Sequence, residues 1–200
     1  MKILNLYSGI GGNRKLWDKS HQITAVEFDP KIAEIYQDFF PQDKVIVADA
    51  HEYLLHNFAN YDFIWSSPPC PSHSDIRRCG VHKGQNKPIY AEMSLYQEII
   101  LLQNFYKGGY CVENVVPYYK PLILAQKRDR HLFWANFAIS EMPLEPPKMQ
   151  GTNEQRAQIT GFDLSKYKGV DKRKLQRNCV MPMVGKRVLE CYLNQQPTLI

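Results

Sequence analysis

The sequence predicts an α/β protein, a mostly parallel sheet with helices on both faces. Three observations carry that expectation. Short apolar runs of strand length alternate with stretches of helical periodicity along the chain. Glycine, acidic and cysteine-bearing turns follow these runs, as they do where a parallel sheet presents a crevice beyond its strand ends. The 200 residues, 44% of them hydrophobic, match one ordinary domain that buries a full core without disulfides or metals.

Strands are expected at residues 3–7, 23–28, 45–47, 63–66, 110–113 and 131–137, each a short run rich in branched or aromatic side chains. Helices are expected at 13–19, 31–39, 51–57 and 92–106. In the last, Leu95, Ile99, Leu102 and Phe105 or Tyr106 recur at helical spacing. A final helix opens at Pro182, where a missing N–H costs nothing, with Val184, Val188, Leu189 and Tyr192 as its buried face. Residues 141–168, with Met142-Pro143-Leu144-Glu145-Pro146-Pro147, read as a loop-dominated insert. The chain is therefore expected to divide into an α/β domain (1–137), a short loop-rich insert (138–176) and a segment that returns to the first domain (177–200).

The five cysteines form no CxxC pair and are odd in number, which argues against a zinc site or disulfide framework and for a reducing, cytoplasmic setting. No apolar run approaches membrane-spanning length. The net charge of +5 is unevenly placed. Residues 1–65 hold nine acids and six basic residues, whereas 71–87 carry Arg77, Arg78, Lys83 and Lys87 against Asp75 alone. A second basic stretch, 166–177, has six cations against Asp171. Two such stretches point to a polyanionic partner, although solvated lysine-rich loops produce the same pattern.

Five strand ends carry chemistry. Tyr7-Ser8-Gly9-Ile10-Gly11-Gly12 lets the backbone turn tightly and approach a ligand, as a plain tight turn also does. Glu27 closes the second strand, where a carboxylate accepts from both ribose hydroxyls, with Phe28 available to a purine face. Asp49 follows the third and suits an exocyclic adenine amine, and either acid equally suits a helix N-cap. Together they describe an adenosine site without a diphosphate-binding cation, which favours S-adenosylmethionine over a dinucleotide. Ser67-Pro68-Pro69-Cys70 follows the fourth strand, its prolines holding Cys70 at a fixed angle. A thiolate there is nucleophilic where cations lower its pKa. Glu113 ends the fifth strand among apolar neighbours, an environment that keeps a carboxyl protonated and able to donate.

This ordered set resembles the DNA (cytosine-5) methyltransferase family. The family's FxGxGG motif falls on residues 7–12 with Tyr7 for Phe, its acidic cofactor residues on Glu27 and Asp49, and its Pro-Cys nucleophile on Pro69-Cys70. Its loop serine falls on Ser74, its ENV motif on Glu113-Asn114-Val115 and its QxRxR motif on Gln126-Lys127-Arg128-Asp129-Arg130. The last motif, Gly-Asn-x-Val, appears as Arg177-Asn178-Cys179-Val180. Pro71 stands where the family has glutamine, and His73 where it has an aromatic or aliphatic residue. The stretch 130–137 is similar to compact bacteriophage-type members.

The resemblance implies a class I S-adenosylmethionine-dependent methyltransferase fold, Rossmann-like, with no metal and with S-adenosylhomocysteine as product. It implies that Cys70 attacks cytosine carbon 6 while Glu113 serves ring nitrogen 3, and that Arg128 and Arg130 position the base and its phosphate. It places the cofactor against Tyr7, Gly9, Ile10, Gly11, Gly12, Glu27, Phe28, Asp49, Pro69, Asn178 and Val180. Duplex DNA would meet Ser74, Arg77 and Arg78, with the target base flipped out and the basic loop 71–87 closing behind it. The short insert leaves Gln150, Asn153, Gln155, Arg156 and Gln158 to read base edges, so the target is short or a second subunit or partner protein assists. The same residues also suit a tRNA methyltransferase. A catalytically silent nucleic-acid-binding protein would need neither Cys70 nor Glu113, and an NAD oxidoreductase leaves the Pro-Pro-Cys and Glu-Asn-Val segments without a role.

Overall fold

The computed structural model describes residues 1–141 and 151–195. Seven strands form one sheet: β1 (Lys2–Leu6), β2 (Gln22–Glu27), β3 (Lys44–Val47), β4 (Phe63–Ser66), β5 (Gly109–Val115), β6 (Gln126–Arg128) and β7 (His131–Ala135). Their spatial order is β3-β2-β1-β4-β5-β7-β6. The first five run parallel, and β7 pairs antiparallel with β5 and with β6. Central β1, β4 and β5 are buried on both faces, which is why they read as mostly apolar runs without polar alternation, Asn5, Glu113 and Asn114 being the buried polar exceptions in β1 and β5.

Helices α1 (Pro30–Phe39), α2 (Ala50–Asn57), α3 (Asp75–His82), α4 (Ser94–Phe105), α5 (Asn153–Thr160), α6 (Lys172–Asn178) and α7 (Pro182–Leu193) complete the described fold. On one face, Leu54 of α2 and Leu95, Ile99 and Leu102 of α4 pack against Leu4, Leu6, Ile64 and Val112. On the other, Val188 and Leu189 of α7 join Trp17 and Phe137 over Ile3, Phe63, Trp65 and Phe133. Val184 and Tyr192 are partly buried against that cluster, so the expected α7 face is the packed one. In α4 Tyr106, just past the last turn, is buried while Phe105 is exposed.

Four expectations are corrected. Residues 13–19 form successive turns rather than a helix, with three-residue closures such as Trp17 N to Arg14 O at 3.0 Å. Their side chains are drawn inward by other elements. Asn13 bonds Asn5 at 2.7 Å, Arg14 forms a buried pair with Asp43 at 2.8 Å, and Trp17 Nε1 donates to Gly185 O at 3.0 Å. The basic stretch 71–87 is not a loop throughout, since α3 occupies its centre.

The insert contains α5, opened by a Thr152–Gln155 capping box and closed by Gly161 in the left-handed region. Phe162 and Leu164 then join Ile10 and Ile35 in a third buried cluster, so the insert shares the sheet domain's core. The expected boundary at 176–177 falls inside α6. The proline-rich residues 142–147 and Gln150 lie outside the described residues.

Candidate active site

The glycine turn is built by the end of β1. Tyr7 adopts φ +52°, Ser8 N donates to Val26 O at 3.0 Å, and Gly11 N closes onto Ser8 O at 2.9 Å. Gly9 N then donates to Glu27 Oε2 at 2.9 Å, and Asp29 N to Glu27 Oε1 at 3.1 Å. Glu27 is thus oriented by backbone donors on both sides of the crevice, and each oxygen keeps a further acceptor site. Phe28 beside it is 74% exposed, leaving an aromatic face uncovered. Asp49 caps α2 through Oδ1, which accepts from Glu52 N at 3.1 Å. Its structural role is therefore real, and it leaves the second oxygen for other contacts.

The remaining glycines differ in what they face. A side chain built at Gly9 would meet no atom within 4 Å. At Gly12 it would overlap the Val180 carbonyl and the Cys179 sulfur, which places the Asn178–Val180 segment directly against the turn. Val180 makes that approach, while Asn178 is an exposed residue at the end of α6.

The cysteine turn is braced on three sides. Asn114 Nδ2 donates to Pro68 O at 2.9 Å, Trp65 Nε1 to Ser67 Oγ at 2.7 Å, and His73 N and Ser74 N both to Cys70 O at 3.0 Å. The parallel register of β4 with β5 sets Ser66 opposite Val112, so Glu113, still within β5 and paired with Phe133 of β7, is the first β5 residue beyond the end of β4, where the cysteine turn begins. Cys70 is a half-buried free thiol. Burial first, and the nearby Glu113 carboxylate second, push its pKa above the ordinary thiol value. The cations that would lower it do not act here; the shift has the opposite sign because the thiol is largely buried and its charged neighbour is a carboxylate. Glu113 is 8% exposed, and His131 Nε2 lies 3.5 Å from its Oε1.

The cationic residues fare differently. The Arg128 guanidinium is occupied by the carbonyls of Ile139, Ser140 and Lys127, and therefore fastens the strand pair instead of reaching into the crevice. Gln126 does the same, donating to Phe137 O at 2.7 Å and accepting from Ile139 N at 2.8 Å. Arg130 is exposed, and its carbonyl accepts from Val116 N at 3.2 Å, beside the end of β5. Arg78 pairs with Asp75 at 3.0 Å and lies over the Tyr118 ring; Arg77 donates to Lys87 O at 3.2 Å. Ser74 stands at the N-cap position of α3, next to the cysteine turn, without a side-chain cap bond. In the insert, Arg156 is buried against Gln176 and Asn153, and Gln155 belongs to the capping box. Of the described base-reading candidates, Gln158 alone has no such structural role.

Sequence reasoning missed Glu98. This carboxylate is 1% exposed and accepts from Tyr7, Ser66 and His51. A signal was present: Glu98 lies three residues after Leu95 and four before Leu102, inside the apolar stripe of α4. A charge on a packed face requires donors nearby. Among the described residues, no group of three or more His, Cys, Asp or Glu side chains could hold a metal ion, and no helix is long and apolar enough to cross a membrane.

The model of the family described as C-5 cytosine-specific DNA methylase matches residues 1–116, more than half of the chain and every element from the glycine turn to the Glu113 segment. This chain belongs to that family. Among solved structures, Entamoeba histolytica methyltransferase EhMeth is similar over 97% of this chain and 98% of its own, with 12% identity and a TM-score of 0.56, which shows a shared fold. A mutant of Spodoptera frugiperda DNMT2 is 25% identical over 57% of this chain and 35% of its own (TM-score 0.39). A putative DNA modification methyltransferase encoded within a prophage in Escherichia coli is 20% identical over 60% and 33% (TM-score 0.37). No curated protein matches the chain. The seven-stranded sheet with its one reversed strand is the class I S-adenosylmethionine-dependent methyltransferase fold.

Proposed function

We propose that this chain transfers a methyl group from S-adenosylmethionine to carbon 5 of cytosine in duplex DNA through a covalent Cys70 adduct. The observation that carries the reading is the convergence of the Cys70 turn and Glu113, joined by the Asn114–Pro68 bond and close enough for the carboxylate to perturb the thiol.

The residues fit the methyl donor. Open space stands over Gly9, Glu27 offers acceptor sites for ribose hydroxyls, Phe28 an uncovered ring, and Asp49 a second oxygen. Tyr7, Ile10, Gly11 and Gly12 shape the turn, Pro69 precedes Cys70 at the facing turn, and Val180 packs against Gly12, with Asn178 exposed two residues before it. When bound, S-adenosylmethionine supplies an electrophilic methyl on a sulfonium sulfur.

The chain's own residues then act on the base. Burial and Glu113 favour the protonated thiol at rest, so the Cys70 proton passes to solvent as the sulfur attacks ring carbon 6. The sulfur–carbon bond forms as the ring's electrons move toward nitrogen 3, where Glu113 holds or delivers a proton. Carbon 5 thereby gains the electron density that accepts a methyl group. Removal of the carbon 5 proton by a base returns the electron pair to the ring and breaks the sulfur–carbon 6 bond. Reaching carbon 6 requires the base outside the helical stack. Ser74, Arg77, Arg78 and Arg130 line the route that the flipped strand would follow. The small α5–α6 insert fits a short target, with a second subunit or partner protein extending the readout.

The test compares methyl-labelled S-adenosylmethionine with duplex DNA and with tRNA. Label recovered as 5-methylcytosine in DNA is the expected result. Label in tRNA alone would replace the substrate, and label in neither would remove the proposal.

A further inference from the structure

The buried carboxylate of Glu98 takes no part in the chemistry just described. Its Oε1 accepts from the Tyr7 hydroxyl at 2.5 Å and faces His51 Nδ1 at 3.1 Å, while Oε2 accepts from Ser66 Oγ at 2.7 Å. The three donors come from three different segments, two at strand ends and one in the first turn of α2. Tyr7 opens the glycine turn after β1, Ser66 is the last residue of β4 before Ser67-Pro68-Pro69-Cys70, and His51 lies two residues past Asp49.

A buried carboxylate is costly unless donors surround it, and α4 needs none for packing, since Leu95, Ile99 and Leu102 on the same face are apolar. Ionised, it accepts only, so it fixes the direction of every bond it makes. Tyr7 holds φ +52°, a conformation bulky residues avoid, and its hydroxyl bond to Glu98 holds the residue there. Burial and this same carboxylate raise the Tyr7 phenol far above its usual range, so it remains a donor at every working pH.

We infer that Glu98 is a positioning residue: one buried anchor sets both the turn that receives the methyl donor and the turn that carries Cys70, and so fixes the separation between them. This rests on the function proposed above. It explains why a tyrosine stands where the family motif has phenylalanine, because only the hydroxyl reaches the anchor.

The experiment uses the full chain and its Tyr7→Phe, Glu98→Gln and double variants. S-adenosylmethionine binding is measured by calorimetry, and initial rates are measured on duplex DNA. Tyr7→Phe is expected to weaken cofactor binding about fivefold and Glu98→Gln about tenfold or more, with KM for the cofactor rising further than kcat falls. The double variant should bind no more weakly than Glu98→Gln alone, since the Tyr7 bond is one of the three that Glu98→Gln already disturbs. Variants that melt at lower temperature yet keep the wild-type Kd and KM would overturn the inference and leave a purely structural carboxylate. If Glu98→Gln does not fold, Tyr7→Phe alone decides, because it deletes a single oxygen. Wild-type protein that fails to bind S-adenosylmethionine overturns the underlying reading instead.

Discussion

Gly9 and Gly12 sit three residues apart in one turn, yet their replacement by alanine should fail in different ways. At Gly9 the new methyl group meets no protein atom, so the only internal cost is an L-residue at φ +52°, about 1–2 kcal/mol. For a chain of this size that lowers Tm by roughly 2–8 °C. The methyl instead projects into the space assigned to the cofactor. Wild-type protein at a ligand concentration of 100 Kd gains about 2.7 kcal/mol from binding. If the methyl weakens binding about tenfold, the same ligand concentration is only 10 Kd and the gain falls to roughly 1.4 kcal/mol. Gly12→Ala must displace the backbone at Val180, an overpacking cost of about 1–3 kcal/mol paid before any ligand binds. Thermal melting with and without S-adenosylmethionine separates the two. The ligand-induced shift should shrink by about half in Gly9→Ala. A full wild-type shift in that variant would refute the assignment of the open side of the turn to the cofactor.

Three further outcomes follow from the geometry. Glu113→Gln removes the carboxylate that helps hold the Cys70 thiol up, so iodoacetamide should alkylate Cys70 faster at fixed pH while turnover falls about 10²–10⁴-fold; slower alkylation would contradict the electrostatics. His51 is raised above its usual value, chiefly by its hydrogen bond to Glu98, so its contribution to stability is complete below the unfolded value near 6.5 and disappears as pH rises through the folded one. The Tm difference between wild type and His51→Gln should therefore narrow from pH 6 to pH 9, and a widening difference would reverse the sign. Asp43→Ala strands the buried Arg14 guanidinium and the Tyr36 hydroxyl, with an expected loss of about 3–5 kcal/mol by urea denaturation; a loss under about 1 kcal/mol would mean that water replaces the carboxylate.

The strands, and the turns that carry the candidate site, were legible because their signals are local. Phe63-Ile64-Trp65-Ser66 can only be a strand buried on both sides, and the Pro-Pro-Cys turn that follows must then open at the crevice. Glu113 came with β5 for the same reason. What escaped depended on contacts distant in sequence. Residues 13–19 have helical spacing, but Asp43, Asn5 and Gly185 claim Arg14, Asn13 and Trp17 and leave only turns. Arg128 looked poised for a phosphate because nothing in the sequence shows that the carbonyls of Ile139 and Ser140 occupy it. The sign of the Cys70 shift escaped for a similar reason: a thiol's pKa reports its burial first and its charged neighbours second, and here both burial and the Glu113 carboxylate raise it. The helix α5 was hidden by polar composition, although Thr152 followed by Gln155 at capping-box spacing announces its start.

The central claim is a sulfur–carbon bond between Cys70 and a cytosine, and mechanism-based trapping tests it most directly. Duplex DNA carrying 5-fluorocytosine, incubated with the protein and S-adenosylmethionine, blocks release because fluorine at carbon 5 cannot leave as a proton does. The expected result is a protein–DNA adduct that survives denaturation and is absent from Cys70→Ser. An adduct of equal yield with the serine variant, or none with wild-type protein that methylates unmodified duplex, would contradict it.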